Sequence, residues 1–206
     1  MRPILILGAS GFIGYTIYKE LTRYFQTYGT YNSSRDFIKN KLYIPYNHKK
    51  DSLEQILNEL NPKLIISSMR GEFNSQIEAH IQMKNYVKSH NCRIMIISSA
   101  NVFDSFRHYP SYEYDKTLSE SIYGHFKIKI ENLILQLPVG KFNIIRLPMI
   151  FGLNSPRILE LDHAVKNNKT IEVFPNTIIN VNSDIRLSQQ IHYIINHKKT
   201  GIFHLG

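Results

Sequence analysis

Tyr123 and Lys127 stand four residues apart in Tyr123-Gly124-His125-Phe126-Lys127, a spacing that puts both side chains on one helical face. An ammonium beside a phenol favours the phenolate and pulls its pKa down from about 10. Such a phenol is a usable acid for a carbonyl becoming an alcohol. With 13 tyrosines in the chain the spacing alone is weak evidence, and its order relative to two other motifs gives it weight. The first is Gly8-Ala9-Ser10-Gly11-Phe12-Ile13-Gly14, glycines at a spacing of three after an apolar run and before a helical period. Gly8 permits a tight turn, Gly11 admits a pyrophosphate against the backbone, and Gly14 lets a helix lie on a sheet. Ser10, Phe12 and Ile13 lie where a helix N-terminus offers N–H groups and positive potential to that phosphate. The second is Ile96-Ile97-Ser98-Ser99, an apolar strand ending in hydroxyls, where Ser99 can hydrogen-bond a substrate carbonyl.

The identity of the dinucleotide turns on the second strand. An acidic residue at its end would hold the ribose hydroxyls of NAD. The chain reads Gly29-Thr30-Tyr31-Asn32-Ser33-Ser34-Arg35, without a carboxylate before Asp36. Asn32, Ser33 and Arg35 are therefore the candidates there, with Arg35 as the cation for a 2′-phosphate. NADP is the expected cofactor, with NAD as the alternative.

The elements that must position these residues follow from hydrophobic periodicity. Apolar runs at Ile4–Leu7, Thr27–Tyr31, Lys41–Ile44, Leu64–Ser67, Arg93–Ser98 and Phe142–Arg146 predict strands. Helical periods fill Phe12–Phe25, Ser52–Leu60, Asn74–Ser89 and Lys116–Gln136 between them. This alternation predicts an α/β fold, a Rossmann-type doubly wound parallel sheet. Residues 1–152 are expected to form the dinucleotide-binding domain and 153–206 a partial substrate-binding region packed on it. In that region Thr170–Phe174 and Gly201–Leu205 predict strands and Ser183–Asn196 a helix. The chain stops right after an apolar strand, at His204-Leu205-Gly206, which predicts that a further C-terminal segment is missing.

Composition narrows the class. At 206 residues, 43% hydrophobic and 20% charged, the chain suits one globular domain with a core. Met1–Gly8 is too short an apolar run for a secretory signal, and no stretch reaches the roughly 18 apolar residues that span a bilayer. Cys92 is the sole cysteine and reads as a structural thiol in a reducing compartment, so a cytoplasmic location is expected. The net charge of +9 is spread out, its densest runs being His48-Lys49-Lys50 and His197-Lys198-Lys199. That distribution argues for a solvated basic surface and against nucleic acid. The nine histidines show no zinc-like spacing, and no metal is expected. His125 points away from the Tyr123 face and reads as structural, while Tyr109-Pro110-Ser111-Tyr112 is a candidate gating loop.

Taken together, these motifs resemble the extended short-chain dehydrogenases/reductases. The resemblance rests on the glycine turn and on Asp51-Ser52-Leu53 with Asn61 through Ile66. It also rests on Ser98-Ser99 with Val102-Phe103-Asp104, on Tyr123 through Lys127 with Glu131, and on Arg146 through Gly152. Within that group the chain looks most similar to the dTDP-4-dehydrorhamnose reductase branch. The resemblance implies that Tyr123 is the general acid and that Ser99 polarises the carbonyl. It gives Lys127 the nicotinamide ribose, Asp51 the adenine, Ser67, Ser68 and Met69 the wall after the fourth strand, and Pro148 the border of the nicotinamide. It implies a nucleotide-sugar substrate and pairing of two copies through the Tyr123 helix. Ala100-Asn101 departs from the acidic pair of the nucleotide-sugar dehydratases and disfavours dehydration, and Met69-Arg70-Gly71-Glu72 replaces smaller residues. The leading expectation is a 4-keto nucleotide-sugar reductase. A sugar-nucleotide epimerase or a non-catalytic dinucleotide-binding subunit on the same scaffold are the alternatives.

Overall fold

All four residues of the first strand, β1 (Ile4–Leu7), are buried, because helices cover both faces of the sheet it centres. The computed structural model describes residues 2–106, 110–173, 175, 176 and 178–206. After β1 come α1 (Phe12–Leu21), β2 (Thr27–Tyr31), β3 (Tyr43–Pro45), α2 (Leu53–Leu60), β4 (Leu64–Ser67), α3 (Phe73–Ser89) and β5 (Arg93–Ser99). Then follow α4 (Ile122–Ile134), β6 (Phe142–Leu147), β7 (Met149–Phe151), α5 (Pro156–Lys166), β8 (Val181–Ser183), α6 (Asp184–Asn196) and β9 (Gly201–His204). The main sheet runs β3-β2-β1-β4-β5-β6-β9 and every pairing in it is parallel. This is the expected Rossmann-type architecture. Strand order reverses between β1 and β4, and the carboxyl ends of that pair frame a crevice.

The period of two along β1 divides the core. Leu5 and Leu7 pack with Leu53, Leu57, Met83 and Ile130 under α2, α3 and α4. Ile4 and Ile6 pack with Ile17, Leu21, Leu187 and Ile191 under α1 and α6. Each such side chain contributes roughly 1.5–3 kcal/mol by leaving water. The Cys92 thiol lies in the first layer, where burial pushes its pKa up to about 12.

Three expectations are corrected. The helix predicted over Lys116–Gln136 begins only at Ile122. The preceding residues are held extended, Leu118 donating its N–H to the Val102 carbonyl, and Ser121 caps the helix by accepting from the Gly124 N–H. No strand forms over residues 170–173, where Val173 is exposed and no neighbour supplies a ladder; Phe174 lies outside the described residues. The helix predicted over Phe12–Phe25 closes at Leu21. Helix α5 escaped the periodicity reading because none of its residues is buried, so it carries no apolar stripe. Its signal is the start, where Ser155 accepts from the Ile158 N–H and Pro156 fills the first turn.

Candidate active site

Two adjoining cavities open along the carboxyl edge of the sheet. One, about 150 Å³, is lined by Gly8, Thr30, Asn32, Tyr46 and His48. The other, about 260 Å³, is lined by Phe12, Ile13, Gly14, Ser99, Tyr123, Lys127 and Pro148. Gly11, Ser68, Met69 and Arg70 line both, so the cavities form one continuous crevice from the glycine turn to the Tyr123 helix.

The glycine turn is built for contact. Gly8 has a φ of 77° and donates its N–H to the Thr30 hydroxyl at 3.0 Å. A methyl at Gly14 would fall 2.2 Å from the Gly8 carbonyl oxygen, so only glycine lets α1 start against the turn. The first turn of α1 has no side-chain cap. Ser52, Glu72, Ser121, Ser155 and Ser183 supply that cap in α2 through α6. The N–H groups of α1 are thus left for an acceptor from outside the chain, as a phosphate would be. In the same cavity His48 Nε2 is buried without a partner among the described residues, and burial lowers the imidazole pKa. An uncapped helix start and an orphaned ring nitrogen bordering one cavity suit a nucleotide whose phosphate lies on the turn.

At the second cavity, Ser99 Oγ donates to Asn101 Oδ1 at 2.8 Å and accepts from the Asn101 N–H. Lys127 Nζ lies 5.6 Å from the centroid of the Tyr123 ring. Desolvation raises the Tyr123 pKa above its usual value, while the charge of Arg70 and a hydrogen bond with Ser99 pull it down. The sequence reading assigned that lowering to Lys127. In the structure Lys127 is itself desolvated, its pKa drawn down to about 8, and its ammonium is engaged by a backbone carbonyl.

The family described as RmlD substrate binding domain matches residues 1–206. The chain belongs to that family. No curated protein matches the chain. Among solved structures, this RmlD-family chain is similar to a hypothetical dTDP-4-dehydrorhamnose reductase from Sulfolobus tokodaii. That match has 24% identity and a TM-score of 0.84, and covers 100% of this chain and 76% of the other. The enzyme WbmH of Bordetella bronchiseptica, solved with NAD+, gives 16% identity and a TM-score of 0.85 over 100% and 76%. A dTDP-4-dehydrorhamnose reductase from Bacillus anthracis str. Ames, solved with NADP, gives 18% and 0.77 over 100% and 75%. At these identities the likeness establishes the fold. The family is one of oxidoreductase-type enzymes.

Not every candidate reaches the crevice of this RmlD-family chain. Gly8, Ser10, Gly11, Phe12, Ile13, Gly14, Asn32, Ser68, Met69, Ser99, Tyr123, Lys127 and Pro148 line it. Ser67 does not, being buried against His80 Nε2 at 3.0 Å, and the next residue, Ser68, takes the wall. Ser33 and Arg35 line neither cavity, and Arg35 opens an exposed helical turn. The Asp51 carboxylate closes its own loop by accepting from the Asn47 N–H at 2.7 Å. Tyr109 of the candidate gating loop lies outside the described residues.

Residues to which sequence reasoning assigned no role support the site from behind. Glu131, 1% exposed, takes the buried Arg146 guanidinium through Nη2 at 2.8 Å and the Ser98 hydroxyl at 2.5 Å. His48, Thr30 and Tyr46 were likewise missed. Nothing local marks them, because only pairing of β1, β2 and β3 brings them to the glycine turn. Among the described residues no group of three or more His, Cys, Asp or Glu could hold a metal ion, and no helix is long and apolar enough to cross a membrane.

Proposed function

We propose that the chain is an NADP(H)-dependent reductase of a 4-keto-6-deoxy nucleotide-sugar, of the dTDP-4-dehydrorhamnose reductase kind. The reading is carried by one observation: Ser99, Tyr123 and Lys127 border the same crevice as the uncapped glycine turn. A dinucleotide bound along it would be held by Gly8, Ser10, Gly11 and the start of α1 at its phosphates, with Pro148 beside the nicotinamide. When bound, the reduced nicotinamide supplies the hydride. The chain's residues do the rest. Ser99 hydrogen-bonds the substrate carbonyl and orients it. The Tyr123 hydroxyl passes its proton to the carbonyl oxygen as that oxygen gains charge. Lys127 holds the ribose hydroxyls and keeps a positive charge near the phenol.

Arg35 lines neither cavity, so the geometry adds no support for it as the cation of a 2′-phosphate, and NAD remains compatible. Titration with NADPH and NADH, then a screen of 4-keto nucleotide-sugars for loss of reduced-nicotinamide absorbance, tests the proposal. Substrate-dependent oxidation of either cofactor supports it. Interconversion of two nucleotide-sugars with no net cofactor consumption replaces it with the epimerase reading, and tight dinucleotide binding without turnover replaces it with a binding subunit.

A further inference from the structure

Arg70 stands alone among charged side chains in lining both halves of the crevice, and it is exposed. It makes no hydrogen bond and no ion pair with any described residue. Its backbone is fixed nonetheless. The turn after β4 abuts the glycine turn so closely that a methyl on Gly8 would lie 2.8 Å from the Ser68 carbonyl oxygen. Gly71, at a φ of 118°, closes the turn on the other side. The backbone of Arg70 is therefore fixed where the glycine-turn cavity meets the Tyr123 cavity, and its guanidinium is left available to a ligand in either.

We propose that Arg70 binds the second, nicotinamide-side phosphate of the dinucleotide and carries positive charge from there to the Tyr123 phenol. This rests on the reading under Proposed function. The N-terminus of α1 serves a phosphate with N–H groups; Gly8 and Ser10 line only the first cavity, Phe12, Ile13 and Gly14 only the second, and Arg70 adds the one side chain of fixed positive charge that borders both. A guanidinium matches two phosphate oxygens at once. The charged groups around the phenol are Arg70, from the turn after β4, and Lys127, from α4 itself; the Ser99 hydroxyl faces it from β5. Of the two cations, Arg70 is the one that lowers the phenol pKa.

The test compares wild type, Arg70→Met and Arg70→Lys by calorimetric titration with ADP-ribose, which has both phosphates, and AMP, which has only the adenine-side one. Arg70→Met is expected to weaken ADP-ribose about ten- to a hundredfold, the loss of a charged hydrogen bond, and AMP less than about threefold. Arg70→Lys recovers part of the loss. In turnover assays the high-pH limb that reports phenol ionisation moves up in Arg70→Met, since a cation that favoured phenolate is gone. The side chain is exposed and unbonded, so melting temperature is expected to stay within about 2 °C. Equal losses for both ligands, or none, overturn the role of Arg70 while the function stands. A folded wild type that binds neither ADP-ribose nor NADPH overturns both.

Discussion

Lys127 Nζ donates to the Ile97 carbonyl oxygen at 2.9 Å, tying the middle of α4 to the carboxyl end of β5. The bond holds an ammonium in a dry place, where burial draws its pKa from 10.5 down to about 8 and Glu131 opposes the fall. The sign of the pH effect follows. The unfolded chain keeps this proton to higher pH than the folded one, so between about pH 8 and 10 folding is favoured by raising the pH. Against Lys127→Met, whose side chain does not titrate, the wild type is expected to gain roughly 2–3 kcal/mol across that window, at about 1.4 kcal/mol per pH unit. Chemical denaturation of both proteins at about pH 7.5, below the window, and about pH 9.5, roughly three quarters of the way through it, reads most of the difference. An unchanged difference would show that the ammonium is well solvated.

Glu131→Gln removes the carboxylate from a pair in which Arg146 is 4% exposed. A buried charge left unpaired costs about 3–5 kcal/mol, equivalent to a melting temperature lower by roughly 6–20 °C at this chain length. Glu131 also raises the Lys127 pKa, so its loss moves the onset of the pH-dependent window below 8. Thermal melts across pH check both effects in one series. Loss of stability without movement of the window would separate the pair from Lys127.

Tyr123→Phe is expected to lower turnover by roughly a hundredfold or more while leaving cofactor affinity nearly unchanged, as loss of a general acid does. Because desolvation otherwise raises the phenol pKa, the wild-type phenol stays protonated at neutral pH in the free protein, the state a proton donor needs. Steady-state kinetics with direct dinucleotide titration separates the two quantities. A variant as fast as wild type would end the reductase reading.

Gly124→Ala tests the joint between α4 and the turn after β5. A methyl there would sit 1.9 Å from Ser119 Oγ and 2.5 Å from the Asn101 carbonyl oxygen. The helix start must move away from the Ser99–Asn101 turn, at a cost of about 1–3 kcal/mol. Turnover is expected to fall more than ADP-ribose affinity, since Tyr123 and Ser99 are displaced while the glycine turn is untouched. Equal falls would mean general loosening of the fold.

The strand runs and glycine spacing sufficed to write down the sheet's first six strands and the start of α1, because an apolar period of two and a backbone that must meet a phosphate are local properties. Tyr123, Lys127 and Ser99 were legible for the same reason: residue type, spacing and position after a strand express their chemistry. Pairing across the sheet decided the remainder. Ser67 and Ser68 are chemically alike, and only the strand's alternation turns one to His80 and the other to the crevice. Asp51 spends its carboxylate on its own loop, and Arg35 lies on an exposed turn, neither visible before the chain folds. His48, half-buried with its Nε2 enclosed, and Arg70, unpaired between two cavities, take their meaning from neighbours distant in sequence. Electrostatics at such sites depends on burial and on charges brought together by tertiary contacts, quantities that no local pattern encodes.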